Sequence, residues 1–254
     1  SLNPPDTLRI VLLGKTGVGK SASGNTILRK EVFNEDISDE SVTSVCQKET
    51  AEVCGRPISV IDTPGLFDTR TDNDEIRKEI VKCISMAAPG PHVFLLVLKI
   101  GNFTQEEREA VRRIKKTFGK TSKMYTIVLF TGGDMLKGKT VEQFIESSGT
   151  KLKRLLLEFG NRYNVFNNND KSSNTQVRTL LNKIDSMVKM NRGSCYTNEM
   201  FEDVEKAVEE DMERILKERE KQIEREKEEL KKKHEAEMEE MRREMQRQKE
   251  KECK

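Results

Sequence analysis

The eight residues GKTGVGKS, Gly14 to Ser21, constrain the fold of this chain more than any other stretch. They follow LRIVLL (8–13), a short and almost wholly apolar run that stops at glycine, as a buried parallel strand does. They lead into helix-like spacing over 21–29. The pattern is GxxxxGK[ST], in the context its chemistry requires. Glycines let the backbone wrap a phosphate with its N–H groups, and the following helix directs its positive end at the same charge. Lys20 then stands to bridge the β- and γ-phosphates, and Ser21 to ligate Mg²⁺. A second element follows by position. Ser59-Val60-Ile61-Asp62 reads as an apolar strand ending in the acidic residue that holds Mg²⁺ through water, and Thr63-Pro64-Gly65 places the Gly65 amide to sense a γ-phosphate. Together the two motifs imply a P-loop NTPase.

The rest of the body alternates in the same way. Strands fit 46–54 and 57–61, with Gly55-Arg56 as the turn, then 93–98, 125–130 and 163–166. Helical spacing covers 74–87, a helix to 118 opened by a Thr104/Glu107 capping box, 141–159 with a break near Gly149, and 176–190. Such alternation argues for an α/β sheet covered on both faces. Beyond Gly193 no glycine or proline remains. Residues 199–254 hold 37 charged residues in 56, with a net charge of −5, against +7 for residues 1–198. Glu→basic pairs at i,i+4, such as Glu213/Lys217, Glu228/Lys232 and Glu239/Arg243, support one long helix. The expected organisation is an extension over 1–7, a domain over 8–192 and a charged helical tail over 199–254.

Several classes are disfavoured. No run approaches the ~18–20 apolar residues that cross a bilayer, and no signal peptide opens the chain. A net charge of +2 gives no case for nucleic acid. Five scattered cysteines without metal-ligand spacing read as reduced thiols in a cytoplasmic protein. Two distant histidines, His92 and His234, make neither a zinc site nor a triad.

For the base, Thr131-Gly132-Gly133-Asp134 resembles the [NT]KxD guanine motif, whose aspartate accepts from the guanine N1–H and 2-amino groups. Adenine has neither donor, so a buried carboxylate there rejects ATP. The usual lysine is Gly132. Asn167 suits the remaining face of the base, and 167–170 reads equally as a polar turn.

LRIVLLGKTGVGKSASGNTIL (8–28), SVTSVCQ (41–47), IDTPGLFDT (61–69), GPHVFLLVLKIGNFTQEEREAVRRIKKTFG (90–119) and NRYNVFNN (161–168) resemble the immunity-associated GTPases, the GIMAP family, relatives of septins and of chloroplast import-receptor GTPases. The charged tail resembles the longer fish-type members. The resemblance implies a Ras-like G domain, a mostly parallel six-stranded sheet with helices on both faces and an extra helix, that binds GTP and GDP with Mg²⁺. Carried over by residue, Gly14, Lys15, Thr16, Gly17, Val18, Gly19, Lys20, Ser21 and Ala22 form the phosphate loop. Thr43 is the switch I threonine that joins Ser21 and Asp62 at Mg²⁺, and Gly65 anchors switch II. Gly132, Gly133, Asp134 and Asn167 face the base. Glu35 falls near the ribose, where the family commonly has a small hydroxyl residue.

For hydrolysis, Lys20 and Thr43 stand nearest the chemistry. Leu66 occupies the position of the glutamine that orients water in Ras-type enzymes. Asn102 occupies that of the arginine which some family members contribute across a dimer. One reading is therefore a slow GTPase that works as a nucleotide-controlled dimerisation switch. An alternative is a dimer-activated GTPase that uses another basic residue, Arg70 or Lys15, and an ATP-binding P-loop enzyme is a third. The expected partner is a second copy across the G-domain face in the GTP state. Leu216, Ile223 and Leu230 recur every seven residues, which allows weak self-association of the tail, though the intervening positions are mainly charged.

Overall fold

Runs that are apolar on both faces belong in the middle of a sheet, and this chain has several. The computed structural model describes residues 7–35, 45–63, 65, 73–172 and 174–252. Among them the strands are β1 (Leu8–Leu13), β2 (Gln47–Val53), β3 (Arg56–Asp62), β4 (Val93–Lys99), β5 (Thr126–Thr131) and β6 (Tyr163–Val165). They form one six-stranded sheet in the order β2-β3-β1-β4-β5-β6. Every pairing is parallel except that of β2 with β3. β4 and β5 are buried almost throughout, whereas β2 is polar and largely exposed, as suits an edge.

The β2–β3 turn falls on Cys54 (φ 52°) and Gly55 (φ 81°), one residue earlier than the expected Gly55-Arg56. A two-residue hairpin that matches strand twist needs positive φ at both central positions. Arg56 is thereby freed to open β3, opposite Val53.

The helices are α1 (Lys20–Leu28), α2 (Asn73–Met86), α3 (Gln105–Phe118), α4 (Val141–Ser147), α5 (Thr150–Glu158), α6 (Thr175–Met190) and α7 (Asn198–Glu252). Alternate strand residues serve opposite faces. Ile10, Leu12, Leu95 and Val97 pack with Ile27 of α1 and Leu180 and Ile184 of α6. Val11, Leu13, Phe94 and Leu96 pack with Ile80 of α2, Ile114 of α3 and Leu156 of α5. Each such side chain taken from water contributes about 1.5–3 kcal/mol. α3 opens on the expected capping box, Thr104 with Glu107. The helical stretch from 141 breaks at Ser148 and Gly149, both extended.

Two buried side chains tie the start of β1 and the segment after α6 to the loop before β4. The His92 Nδ1 accepts from the Arg9 backbone N–H at 3.0 Å. Burial, with the charges of Arg9 and Arg56, pushes its pKa down to about 4. Tyr196 is wholly buried; its hydroxyl donates to the Phe118 carbonyl (2.8 Å) and its N–H to the Pro91 carbonyl (2.9 Å). Gly90, at φ 149°, accepts this close approach, because a Cβ there would lie 1.8 Å from the Tyr196 oxygen.

One expectation is corrected. Cys46 and Cys83 are not separate reduced thiols: their sulfurs are joined, with the Cα atoms 5.9 Å apart. The two are 37 residues apart in sequence, so only the packing of α2 against the strand edge brings them together. Cys54 and Cys195 are free.

Two compact units divide the chain, Ser1–Val204 and Glu205–Lys254. The second is α-helical through Glu252. Arg243 pairs with Glu239 (3.3 Å) and Lys232 with Glu228 (3.9 Å) along its surface, while Leu216, Ile223 and Leu230 are exposed. Among the described residues no helix is long and apolar enough to cross a membrane.

Candidate phosphate and base site

In an open parallel sheet, ligands bind beyond the carboxyl ends of the strands where the strand order reverses. Here that point lies between β1 and β4, and the loop leaving β1 is Gly14 to Gly19. A Cβ at Gly14 would meet the Val97 carbonyl oxygen at 2.7 Å, so only glycine lets the loop turn this close to β4. The loop closes on Gly19, the N-cap of α1, where no side chain caps the helix. The first N–H groups of α1 are thus not taken up by an N-cap side chain, beside the positive end of its dipole. Lys20 is buried, and its ammonium donates to the carbonyls of Gly14 (3.0 Å) and Lys15 (2.9 Å). Lys15 itself is ion-paired with Glu106 at the start of α3. Thr16 and Gly17 are exposed, Val18 is buried, and Ala22 lies half-buried in the first turn of α1.

Asp62 ends β3 next to this loop. Ser21 Oγ donates to its Oδ2 at 2.5 Å, while its Oδ1 is buried with no hydrogen-bond partner among the described residues. Burial pushes the Asp62 carboxyl above the usual aspartate value, against the Ser21 hydrogen bond and the Lys20 charge. A buried carboxylate oxygen without a donor, beside a serine hydroxyl, is a donor set that suits a hard divalent cation. Magnesium fits these residues. Gly65 lies three residues on; Thr43, Leu66 and Arg70 lie outside the described residues.

The base end is assembled from two loops. Thr131, last in β5, donates from Oγ1 to the Val18 carbonyl (2.5 Å), tying the expected base motif to the phosphate loop. Gly132 stands at φ 75°, and Gly133 opens a short 3₁₀ turn with its N–H on the Phe166 carbonyl (2.9 Å). That bond brings the β5 and β6 loops side by side. Asp134 is exposed rather than buried, a difference from the carboxylate environment expected above. The Asn167 backbone is clamped by Gln176, whose Oε1 accepts its N–H (2.9 Å) and whose Nε2 donates to its carbonyl (3.0 Å).

Sequence reading missed three residues that hold the parts together. Asn168 accepts from Thr26 Oγ1 (2.8 Å) and donates to Ser23 Oγ (3.2 Å), fixing the Asn167 loop to α1. Asn25 accepts the N–H groups of Val32 and Phe33 (2.9 and 2.8 Å) and donates to Glu35 Oε1 (2.7 Å). Glu35 is thus held at the mouth of a cavity lined also by Asn25, Thr26 and Asp170. Gln176 is the third. Each acts through a single side-chain amide in a helix or loop, and no spacing announces it. Asn102 is exposed, in the loop before α3.

Comparison with known proteins agrees with this architecture. Residues 8–216 match the AIG1 family. The human GTPase IMAP family member 8 is 39% identical over 194 residues, 75% of this chain and 29% of its own length. Immune-associated nucleotide-binding protein 9 of Arabidopsis thaliana is 40% identical over 213 residues, 81% of this chain and 62% of its own. The chain therefore spans less than two thirds of either relative. Among solved structures, Arabidopsis thaliana Toc33 in complex with Mg²⁺ and GMPPNP superposes with a TM-score of 0.58 at 19% identity, covering 74% of this chain and 86% of Toc33. A structure concerning the chloroplast translocon components atToc33 and psToc159, for which dimerisation is important for the GTPase activity, gives 0.55 at 19% identity, over 72% and 83%.

Proposed function

Because the chain belongs to the AIG1 family, we propose that it binds GTP and GDP with Mg²⁺ in the cradle between β1, β3 and β5, and acts as a nucleotide-controlled assembly switch with slow hydrolysis. One observation carries this reading: the buried Asp62 Oδ1 beside Ser21, without a hydrogen-bond partner among the described residues, next to a glycine loop whose helix has no side-chain cap. Mg²⁺ bound there would neutralise charge on the β- and γ-phosphates. Lys20 meets the same charge with its ammonium, already directed along the loop by the Gly14 and Lys15 carbonyls. The N–H groups of the loop and of the first turn of α1 bind the β-phosphate. Asp134 accepts from the guanine edge, and Asn167 lies beside the base. By the family resemblance Thr43, outside the described residues, would be a further ligand to the metal.

Slow turnover follows from side-chain chemistry. Leu66 neither polarises nor orients a water, and Asn102 carries no charge to offset that of the leaving phosphate. A second copy across the nucleotide face is the partner this reading takes, with Toc33 as the structural parallel. The same parallel supports the alternative, a GTPase activated by dimerisation through another cation. Lys15 is engaged by Glu106 in the single chain and would have to leave that pair to serve.

Titration with GDP, GMPPNP and ATP, with and without Mg²⁺, tests the binding. Guanine nucleotides should bind at least about tenfold more tightly than ATP, and equal affinities would refute the assignment of the base end. GTP turnover per monomer across protein concentration then separates the two readings: a flat, slow rate supports the switch, and a rate that climbs supports activation in the dimer.

A further inference from the structure

The positive charge on α3 and α5 is left over from the nucleotide site. Arg108, Arg112 and Lys115 stand at i, i+4 and i+7, so they share one face of α3, and Lys151 and Arg154 share one face of α5 at i and i+3. The two faces border one cleft of about 130 Å³. Its floor is buried Val111 and Leu155, and its single lining acid is Glu158. Three of the five cations are already engaged. Arg108 donates to the Phe103 carbonyl (2.6 Å), Arg112 to Glu109 (2.7 Å), and Lys115 is paired with Glu158. Lys151 and Arg154 are exposed and hold no hydrogen bond or ion pair among the described residues.

The complement to this cleft is carried by the same chain. Residues 205–213 hold five acidic residues and one basic. Glu209, Glu213 and Glu220 are exposed on α7, and each lies three or four residues from Met212, Leu216 or Ile223, which are 60%, 58% and 45% exposed. Such spacing sets carboxylates and apolar side chains side by side on one stripe of the helix. Guanidinium and ammonium groups along a cleft suit carboxylates presented by a rod.

We propose that the α3–α5 cleft docks a second copy of this chain, seating the acidic stripe of that copy's α7 over residues 209–220. The contact joins two unlike surfaces, and every copy offers both. It asks nothing of the nucleotide. One exposed ion pair contributes little, but several of the same polarity converging on one cleft add to one another. The association is therefore electrostatic and falls as salt screens it.

Sedimentation equilibrium of the full chain tests this, without nucleotide and with GDP, since the dimer across the nucleotide face belongs to the GTP state. The mean mass should climb with concentration at low salt and return to that of the monomer near roughly 1 M salt, where charges are screened beyond about 3 Å. K151E/R154E alters the cleft and E213K/E220K alters the stripe, all at exposed positions. Each pair alone should weaken association at least about tenfold, and the neutral K151Q/R154Q less, in the same direction. A mixture of the two charge-reversed proteins should associate again, because the intact cleft of one meets the intact stripe of the other. The chain carrying all four reversals should also recover. A wild-type chain that stays monomeric at every concentration overturns the proposal. So does association that survives K151E/R154E, or that survives 1 M salt. Loss in the cleft variant with none in the stripe variant means another acidic surface is the occupant, and the assignment to α7 falls. A mixture that fails to associate where the wild type does overturns the pairing of unlike surfaces between copies.

Discussion

At the phosphate end, the cradle is made of backbone: Gly14 against Val97, an α1 N-terminus with no side-chain cap, and a lysine folded onto its own loop. At the base end it is made of side chains carried on two loops, with Asp134 exposed and Asn167 clamped by a glutamine nine residues on. The first is held by close backbone packing and by bonds within its own loop. The second has its positions fixed, through Thr131, Gly133 and Asn168, but Asp134 faces solvent and the half-buried Asn167 accepts the Asn169 N–H (3.0 Å) within its own loop. Affinity should therefore come chiefly from the phosphates and base selectivity from a few replaceable atoms, a division that mutation can test at either end.

Lys20→Ala should have the largest effect. It removes a buried ammonium from the phosphates and strands two loop carbonyls. GTP and GDP affinity should fall at least about 100-fold, on the order of 3 kcal/mol, by calorimetric titration; a loss under tenfold would mean that the phosphate end is not the anchor. Asp134→Asn should spare the phosphates and cost selectivity. An amide in place of the carboxylate puts a donor against the donors of guanine, so GDP affinity should fall about 10- to 100-fold while that for ATP stays level. A parallel fall for both nucleotides would erase the distinction between the ends.

His92 offers a control away from both. Its folded pKa of about 4 lies below the ordinary 6.5, so folding favours the neutral ring. That contribution is complete above pH 6.5 and is lost as pH falls towards 4. Acidification from pH 7 to 5 should cost about 2 kcal/mol of stability, read by denaturant melts, and His92→Gln should flatten that slope. Thr131→Val has the smallest expected effect and the most direct bearing on the comparison. It leaves the Val18 carbonyl without its donor, for about 1–2 kcal/mol of stability. Because the hydroxyl joins the two ends, GDP and ATP should weaken together, by less than about tenfold; a loss confined to GDP would show that the ends act separately.

How legible these ends were follows from what holds them. The phosphate loop needs glycine and lysine at fixed spacing, and the strand before it needs apolar residues on both faces, so β1 was read to the residue, and α3 with its capping box equally well. The hairpin slipped by one because the demand for positive φ falls on Cys54, a residue whose type does not announce it. Asn25, Asn168 and Gln176 were invisible, since a single amide satisfies a backbone or hydroxyl partner only where the fold delivers it. The Cys46–Cys83 pair was misread for the same reason: contact across 37 residues is a property of how α2 lies on the sheet, and spacing carries no trace of it.

The burial of Tyr196 bears on where the chain can be cut. Its ring fills a space bounded by Phe94, Phe118 and Tyr125, and Phe201, in the first turns of α7, packs against Phe118 behind it. A protein ending after α6 would lose a plug from its core and open Gly90 to water, although every residue of the nucleotide cradle would still be present. A protease that nicks beyond Val204 would instead release a helix and leave the plug in place. The smallest fragment that keeps its fold is therefore longer than the smallest that keeps its motifs.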